Sequence, residues 1–225
     1  MSETVLIVGV GQGLSASIAR LCFSKGMKVY LASRSIEKLE ELKKEINAET
    51  FVCDASNIES VSNLFNQIDK YTSVLNLVIY NASSRPKKTS ITDLDPLEVK
   101  KATNITCFGA FLVAQQAAKR MVKKKGGSIF FTGATAGLKG FANSSTFAMG
   151  KFGLRGLAQS LARELHPKGV HVAHLIIDGI IGKESKGNYQ TMNPDEIAKS
   201  YLQLHHQEKS AWTWEIEIRT STENF

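Results

Sequence analysis

Cysteine is scarce in this chain: Cys22, Cys53 and Cys107 are the only three in 225 residues. They are scattered, odd in number and lack the spacing of metal ligands, so a disulfide scaffold or a zinc module is excluded and free, mostly buried thiols are expected. No Pro- or Ser-rich linker, internal repeat or low-complexity tract divides the sequence, which therefore reads as one domain over 1–225, long enough to bury a full core. The first apolar run, in "MSETVLIVGV", follows no basic stretch and is too short for a signal peptide or a membrane span. A cytoplasmic protein with no membrane partner is the expectation.

Hydrophobic residues make up 43% and charged residues 22% of the chain, the balance of a globular protein. The net charge of +7 is spread over segments such as "SIEKLEELKKEI", where lysines alternate with glutamates at helical spacing. No nucleic-acid motif accompanies it, so nucleic acid is not the expected partner and an anionic cofactor is the better use of the field. None of the five histidines makes a metal pair by spacing, and no metal site is expected.

Short apolar runs alternate with helical patterns throughout. Strands are expected at "TVLIV", "KVYLAS", "TFVCD", "LNLVIY", "GSIFFTG", "VHVAHLII" and "AWTWEIEIR". Helices are expected over Gly13–Lys25, from a Ser35 cap through "SIEKLEELKKEI", over Asn57–Lys70, over Asp95–Lys124 with room for a break near its start, over Ser144–Leu165 and over Pro194–His205. Apolar strands separated by helices imply an α/β fold: a doubly wound, Rossmann-like parallel sheet of about seven strands with helices on both faces. In such folds ligands sit beyond the carboxyl ends of the strands.

At the end of the first strand "VGVGQGLS" opens a helix. Gly9, Gly11 and Gly13 let the backbone approach a pyrophosphate, and Gln12 and Leu14 complete the turn into the helix N-terminus; the alternative is a plain tight turn. At the end of the second strand "LASRS" has no acid to bind an adenosine 2′-hydroxyl. Ser33 and Arg34 stand there instead, which favours NADP(H) over NAD(H), unless Arg34 is only a solvated residue at a helix start.

Taken together these residues resemble the short-chain dehydrogenase/reductase family from Thr4 to about Thr220. "VGVGQGLS" stands where the family has T-G-x-x-x-G-x-G, with Val8 for Thr and Ser15 for the last Gly. "CDAS" resembles the Asp-containing adenine contact, on Asp54 and Ala55. "YNAS" matches N-N-A-G, on Asn81, Ala82 and Ser83. "LIIDG" takes the place of the P-G element, with Asp178 for Pro and Gly179 kept, and Ile180 follows as a further expected cofactor contact. The resemblance implies an Asn, a Ser, a Tyr and a Lys at the catalytic site. Lys151 is retained. The Tyr position is Phe147, the Ser position thirteen residues earlier is Ala134, and the Asn position falls on Thr106 or, with an irregular helix, on Asn104.

A positioned acid contributes about 10²- to 10⁴-fold to carbonyl reduction, and an oxyanion donor about 10²- to 10³-fold. Phe147 and Ala134 supply neither. Thr132, Thr135, Ser144, Ser145 and Thr146 could orient a substrate or a water; Tyr80 and Tyr189 could reach the cleft or simply pack. Asp178 could meet a nicotinamide amide, serve as an acid or base, or be a turn residue. Gly182 to Asn193, "GKESKGNYQTMN", is a short polar segment in the family's lid position, implying an open or small pocket, or one completed by a neighbouring subunit. The resemblance also implies a homodimer or homotetramer packed through the two long helices. An oxidoreductase on a small carbonyl or alcohol, a redox-inactive cofactor-binding protein and an enzyme of another reaction type remain as readings.

Overall fold

The computed structural model describes residues 2–184 and 190–223. Seven strands form one parallel sheet in the order β3-β2-β1-β4-β5-β6-β7. They are β1 Thr4–Val8, β2 Lys28–Ser33, β3 Glu49–Val52, β4 Leu77–Tyr80, β5 Ser128–Ala134, β6 His171–Asp178 and β7 Glu215–Arg219. Every pairing is parallel, and β1 lies between β2 and β4. The chain winds outward from β1 to β3, then returns to β4 on the other side of β1. The reversal opens a crevice between the loops after β1 and β4.

The helices are α1 Leu14–Ser24, α2 Glu40–Glu45, α3 Ile58–Ile68, α4 Pro96–Thr103, α5 Gly109–Lys124, α6 Ser145–Leu165 and α7 Pro194–His205. Successive strand residues serve opposite cores. Val5, Ile7 and Ile79 pack with α1, α2 and α7, whereas Leu6, Val8 and Val78 pack with α3, α5 and α6. His171 and His174 obey the same alternation.

The sequence reading needs one local correction. The segment after Ser35 begins as a 3-10 turn over Ile36–Leu39, and the Ser35 side chain makes no capping hydrogen bond. The break allowed for near the start of the helix from Asp95 is a π-helical turn at Asn104–Phe108, the irregularity on which the Asn104 alternative depends. One extra residue per turn there shifts the face that α5 presents and places Thr106 in the interior against Gly150 of α6.

The base of the expected lid is tied together. Ile181 bridges Met192, the Gly182 amide donates to the Met192 carbonyl at 3.0 Å, and the Met192 amide to that of Ile180 at 2.8 Å. Residues 185–189, Tyr189 among them, lie outside the described residues.

Candidate functional site

Two neighbouring cavities lie at the carboxyl ends of the strands. The first, about 190 Å³, is lined by Gly9, Ser33, Arg34, Asp54, Ala55, Asn81, Ala82 and Ser83, joined by Val10, Cys53 and Ile105. Eight residues read from the sequence as cofactor contacts thus converge. The second, about 250 Å³, brings Ala134, Phe147, Asp178 and Gly179 together with Thr135, Ser144, Arg85 and Lys88. Gly11, Gln12, Gly13, Leu14 and Ile180 line neither. Gln12 is exposed and its amide donates to the Lys38 carbonyl at 2.8 Å.

The glycine loop is held from two sides. The Gly9 amide donates to Ala32 at 2.9 Å, and Asn81 donates through Nδ2 to Ser15 Oγ at 2.5 Å, which in turn donates to the Gly9 carbonyl at 3.2 Å. Ser15, which stands where the family motif has its last Gly, therefore joins the β1 and β4 loops. The α1 helix starts at Gly13 with no side-chain cap and no acid in its first turn. Its first amides are free for an anion, and the dipole favours one. Arg34 is exposed at the end of β2 and close enough to Asp54 to help hold that carboxyl low, behind the stronger hydrogen bond from Ser56.

Lys151 is on α6, one turn after Phe147, but it lines neither cavity. Its Nζ turns inward, donates to the Thr132 carbonyl at 2.8 Å and lies 5.8 Å from the Phe147 ring centroid. Burial lowers its pKa from 10.5 to about 8. At 1.36 kcal/mol per pH unit this represents a burial cost of about 3 kcal/mol for the charged form. The folded state releases the proton near pH 8 and the unfolded chain near 10.5, so Lys151 adds stability as pH rises between these values. Lys151→Met is expected to stabilise the protein at pH 7 by about 1–2 kcal/mol, the relieved burial exceeding about 1 kcal/mol for the lost hydrogen bond. Urea unfolding at pH 7 and 9.5 checks this, and the variant should lack the rise with pH.

The structure engages the other candidate residues as follows. Thr132 shares a hydrogen bond of 2.7 Å with Tyr201 on the far face, so its hydroxyl does not serve the cleft. Thr146 is buried, with no partner for its hydroxyl among the described residues. Tyr80 is fully buried and donates to the Ile105 carbonyl, which makes it a packing residue. Asp178 accepts from Thr135 on one oxygen and meets Arg219 at 3.2 Å on the other. Thr106 accepts from the Ser84 amide at 3.1 Å and so holds the loop after β4.

Sequence reasoning missed two clusters. Beneath Lys151, His174 pairs through Nδ1 with Glu215 at 3.0 Å, and Glu215 takes a two-point bond from Arg155 at 2.7 Å. Burial pushes His174 down, and Lys151 and Arg155 add to the shift. Burial pushes Glu215 up, but Arg155 and His174 outweigh it and hold the carboxyl below its ordinary range. At the opposite edge Glu3 joins His205 and His206, with donor atoms within 4.8 Å of one another, a grouping that spacing could not reveal. The thiols match the sequence expectation: Cys22 and Cys53 are buried, and burial raises them to about 12 and about 11.

A family model described as short chain dehydrogenase matches residues 3–193. The chain belongs to the short-chain dehydrogenase/reductase family. The 3-oxoacyl-[acyl-carrier-protein] reductase FabG of Rickettsia prowazekii is 30% identical over 172 residues, covering 76% of this chain and 69% of the relative. The corresponding reductase MabA of Mycobacterium avium is 28% identical over 184 residues, covering 82% and 69%. A solved short-chain dehydrogenase from Rhodopseudomonas palustris has 37% identity and a TM-score of 0.86 over 97% of this chain and 98% of its own. A metagenomic short-chain oxidoreductase in complex with NADP shares the fold at 24% identity and a TM-score of 0.87, covering 98% of this chain and 99% of its own. No helix among the described residues is long and apolar enough to cross a membrane.

Proposed function

We propose that the protein binds NADP(H) along the carboxyl edge of the sheet and acts as an oxidoreductase on a small carbonyl or alcohol. The supporting observation is Lys151, a buried ammonium kept at a cost in stability beside a cleft that already assembles the loops after β1, β2, β3 and β4. The cleft fits the cofactor chemically. Uncapped amides at the start of α1 suit a pyrophosphate, Ser33 and Arg34 suit a 2′-phosphate, Asp54 and Ala55 suit the adenine end, and Asp178 and Gly179 suit the nicotinamide end. NADP in the metagenomic oxidoreductase supports this choice, as does a structure of ElxO with a Tyr-to-Phe substitution and NADPH bound.

NADPH, when bound, supplies hydride to a substrate carbonyl. The chain must then protonate the substrate oxygen. Phe147 and Ala134 offer no proton, whereas Thr135 and Ser144 offer hydroxyls that orient the oxygen in the second cavity. Lys151, whose ammonium burial makes more acidic, is the group assigned to this proton; its Nζ bonds the Thr132 carbonyl and must turn from it to reach the second cavity. The exposed rings of Phe108 and Phe111 on the α5 side and Phe152 on α6 support a homodimer or homotetramer packed through those helices.

Arg34→Ala is expected to weaken NADPH binding by about tenfold to a hundredfold, the loss of one charge-assisted pair, and to leave NADH affinity unchanged. Fluorescence titration of both nucleotides reads this. Equal losses for both would remove the 2′-phosphate assignment. A redox-inactive cofactor-binding protein is the second reading, favoured by the absence of a hydroxyl at both Phe147 and Ala134. It predicts NADPH binding with no consumption across a panel of carbonyls.

A further inference from the structure

We propose that the second cavity is a site for a small anion, a carboxylate or phosphate, gripped by Arg85 and held in place by Phe147. The guanidinium carbon of Arg85 lies 5.3 Å from the Phe147 ring centroid. The ring attracts the cation through its quadrupole without using up an N–H donor, so those donors remain for a planar oxyanion. A phenyl ring gives this platform without a hydroxyl, so the position has a use beyond the loss of an acid. Lys88 lines the same cavity.

The loop carrying both cations is fixed at two points. The Ser84 amide is held by Thr106 Oγ1 at 3.1 Å, and the Thr89 amide donates to the Asn143 carbonyl at 2.9 Å. Pro86 stiffens the span between them. The first anchor depends on the π-helical turn that turns Thr106 inward, and the second lies just before α6, which carries Phe147. Two elements of the cleft thus cooperate to place Arg85 over the ring.

The charges in the cavity agree with this role. Asp178 is already engaged by Arg219 and Thr135. Glu223 is the other carboxylate on the lining. Among the described residues no carboxylate lies within ion-pair distance of Arg85 or Lys88. Arg85 and Lys88 are exposed and face the cavity with no paired carboxylate among the described residues, which favours an anion there. That the anion is a substrate, and not only a ligand, rests on the oxidoreductase reading.

Paired probes test the proposal by calorimetric titration: 2-oxobutanoate against its ethyl ester, and dihydroxyacetone phosphate against dihydroxyacetone. Each is titrated with and without NADPH, into wild type, Arg85→Ala, Arg85→Lys and Phe147→Leu. At least one charged probe should bind wild type about tenfold or more tightly than its neutral partner, and the pair that discriminates identifies the carboxylate or the phosphate. Arg85→Ala should abolish the discrimination, Arg85→Lys should restore part of it, and Phe147→Leu should weaken it severalfold. NADPH affinity should stay unchanged in the two Arg85 variants. Equal binding of charged and neutral probes, no binding of either, or discrimination that survives Arg85→Ala overturns the anion site. Discrimination in a protein that fails to bind NADPH leaves the anion site standing and removes the oxidoreductase reading instead.

Discussion

Phe147→Tyr combined with Ala134→Ser is expected to raise NADPH-dependent carbonyl reduction by about 10²- to 10⁴-fold over wild type, the worth of a positioned acid. Both residues line one cavity, so the two new hydroxyls would face one substrate oxygen. The Lys151 ammonium lies 5.8 Å from the centroid of the ring at 147 and would lower the pKa of a phenol placed there. The single variants should gain less than the pair, because groups that act on one oxygen are not additive. The tyrosine would also keep an aromatic platform for Arg85, so the anion preference should persist. Stopped-flow and steady-state assays across a carbonyl panel measure the gain. No gain in a double variant that binds NADPH normally would mean that the proton at this site comes from elsewhere and is not limiting.

Gly9→Ala should be the most damaging substitution in the cleft. Gly9 has φ +88, and a Cβ there would sit 2.3 Å from the Ala82 backbone nitrogen. Left-handed backbone costs about 1–2 kcal/mol for a residue with a Cβ, and the clash is with main chain that cannot swing aside. A loss of at least about 3 kcal/mol follows, about 10 °C in Tm for a chain of this length, together with loss of NADPH binding. Gly26→Ala is the control. Its φ is +80, but nothing lies within 4 Å of the added carbon, so only the backbone cost of about 1 kcal/mol should appear and NADPH should bind as before. Similar melting temperatures for the two variants would show that the Gly9–Ala82 approach is not a constraint.

The strands and the crevice were legible because burial on both faces makes β1, β4, β5 and β6 near-continuous apolar runs, and because Gly9, Ser33, Asp54 and Asn81 each follow a strand end. A break near the start of the long helix was anticipated, but its π-helical form was not, since "TNITCFG" keeps a helical apolar pattern through the extra residue and holds no breaker until Gly109. Without that turn Thr106 reads as a substituted catalytic position; with it, the hydroxyl is a brace for Ser84. Arg85 escaped notice because it sits in an irregular loop 62 residues before Phe147, and only the fold of the β4 loop over α6 brings the two together. Lys151 was legible as a cofactor-side lysine by spacing, but its inward bond to Thr132 and the His174–Glu215–Arg155 array beneath it depend on tertiary packing alone.

The most direct test of the account is a titration of wild-type protein with NADPH and with NADH, followed by nucleotide fluorescence at one fixed salt concentration. Saturable NADPH binding, at least tenfold tighter than that of NADH and weakened in Lys151→Met, is the predicted result. Failure of both nucleotides to bind a folded wild-type protein would contradict it.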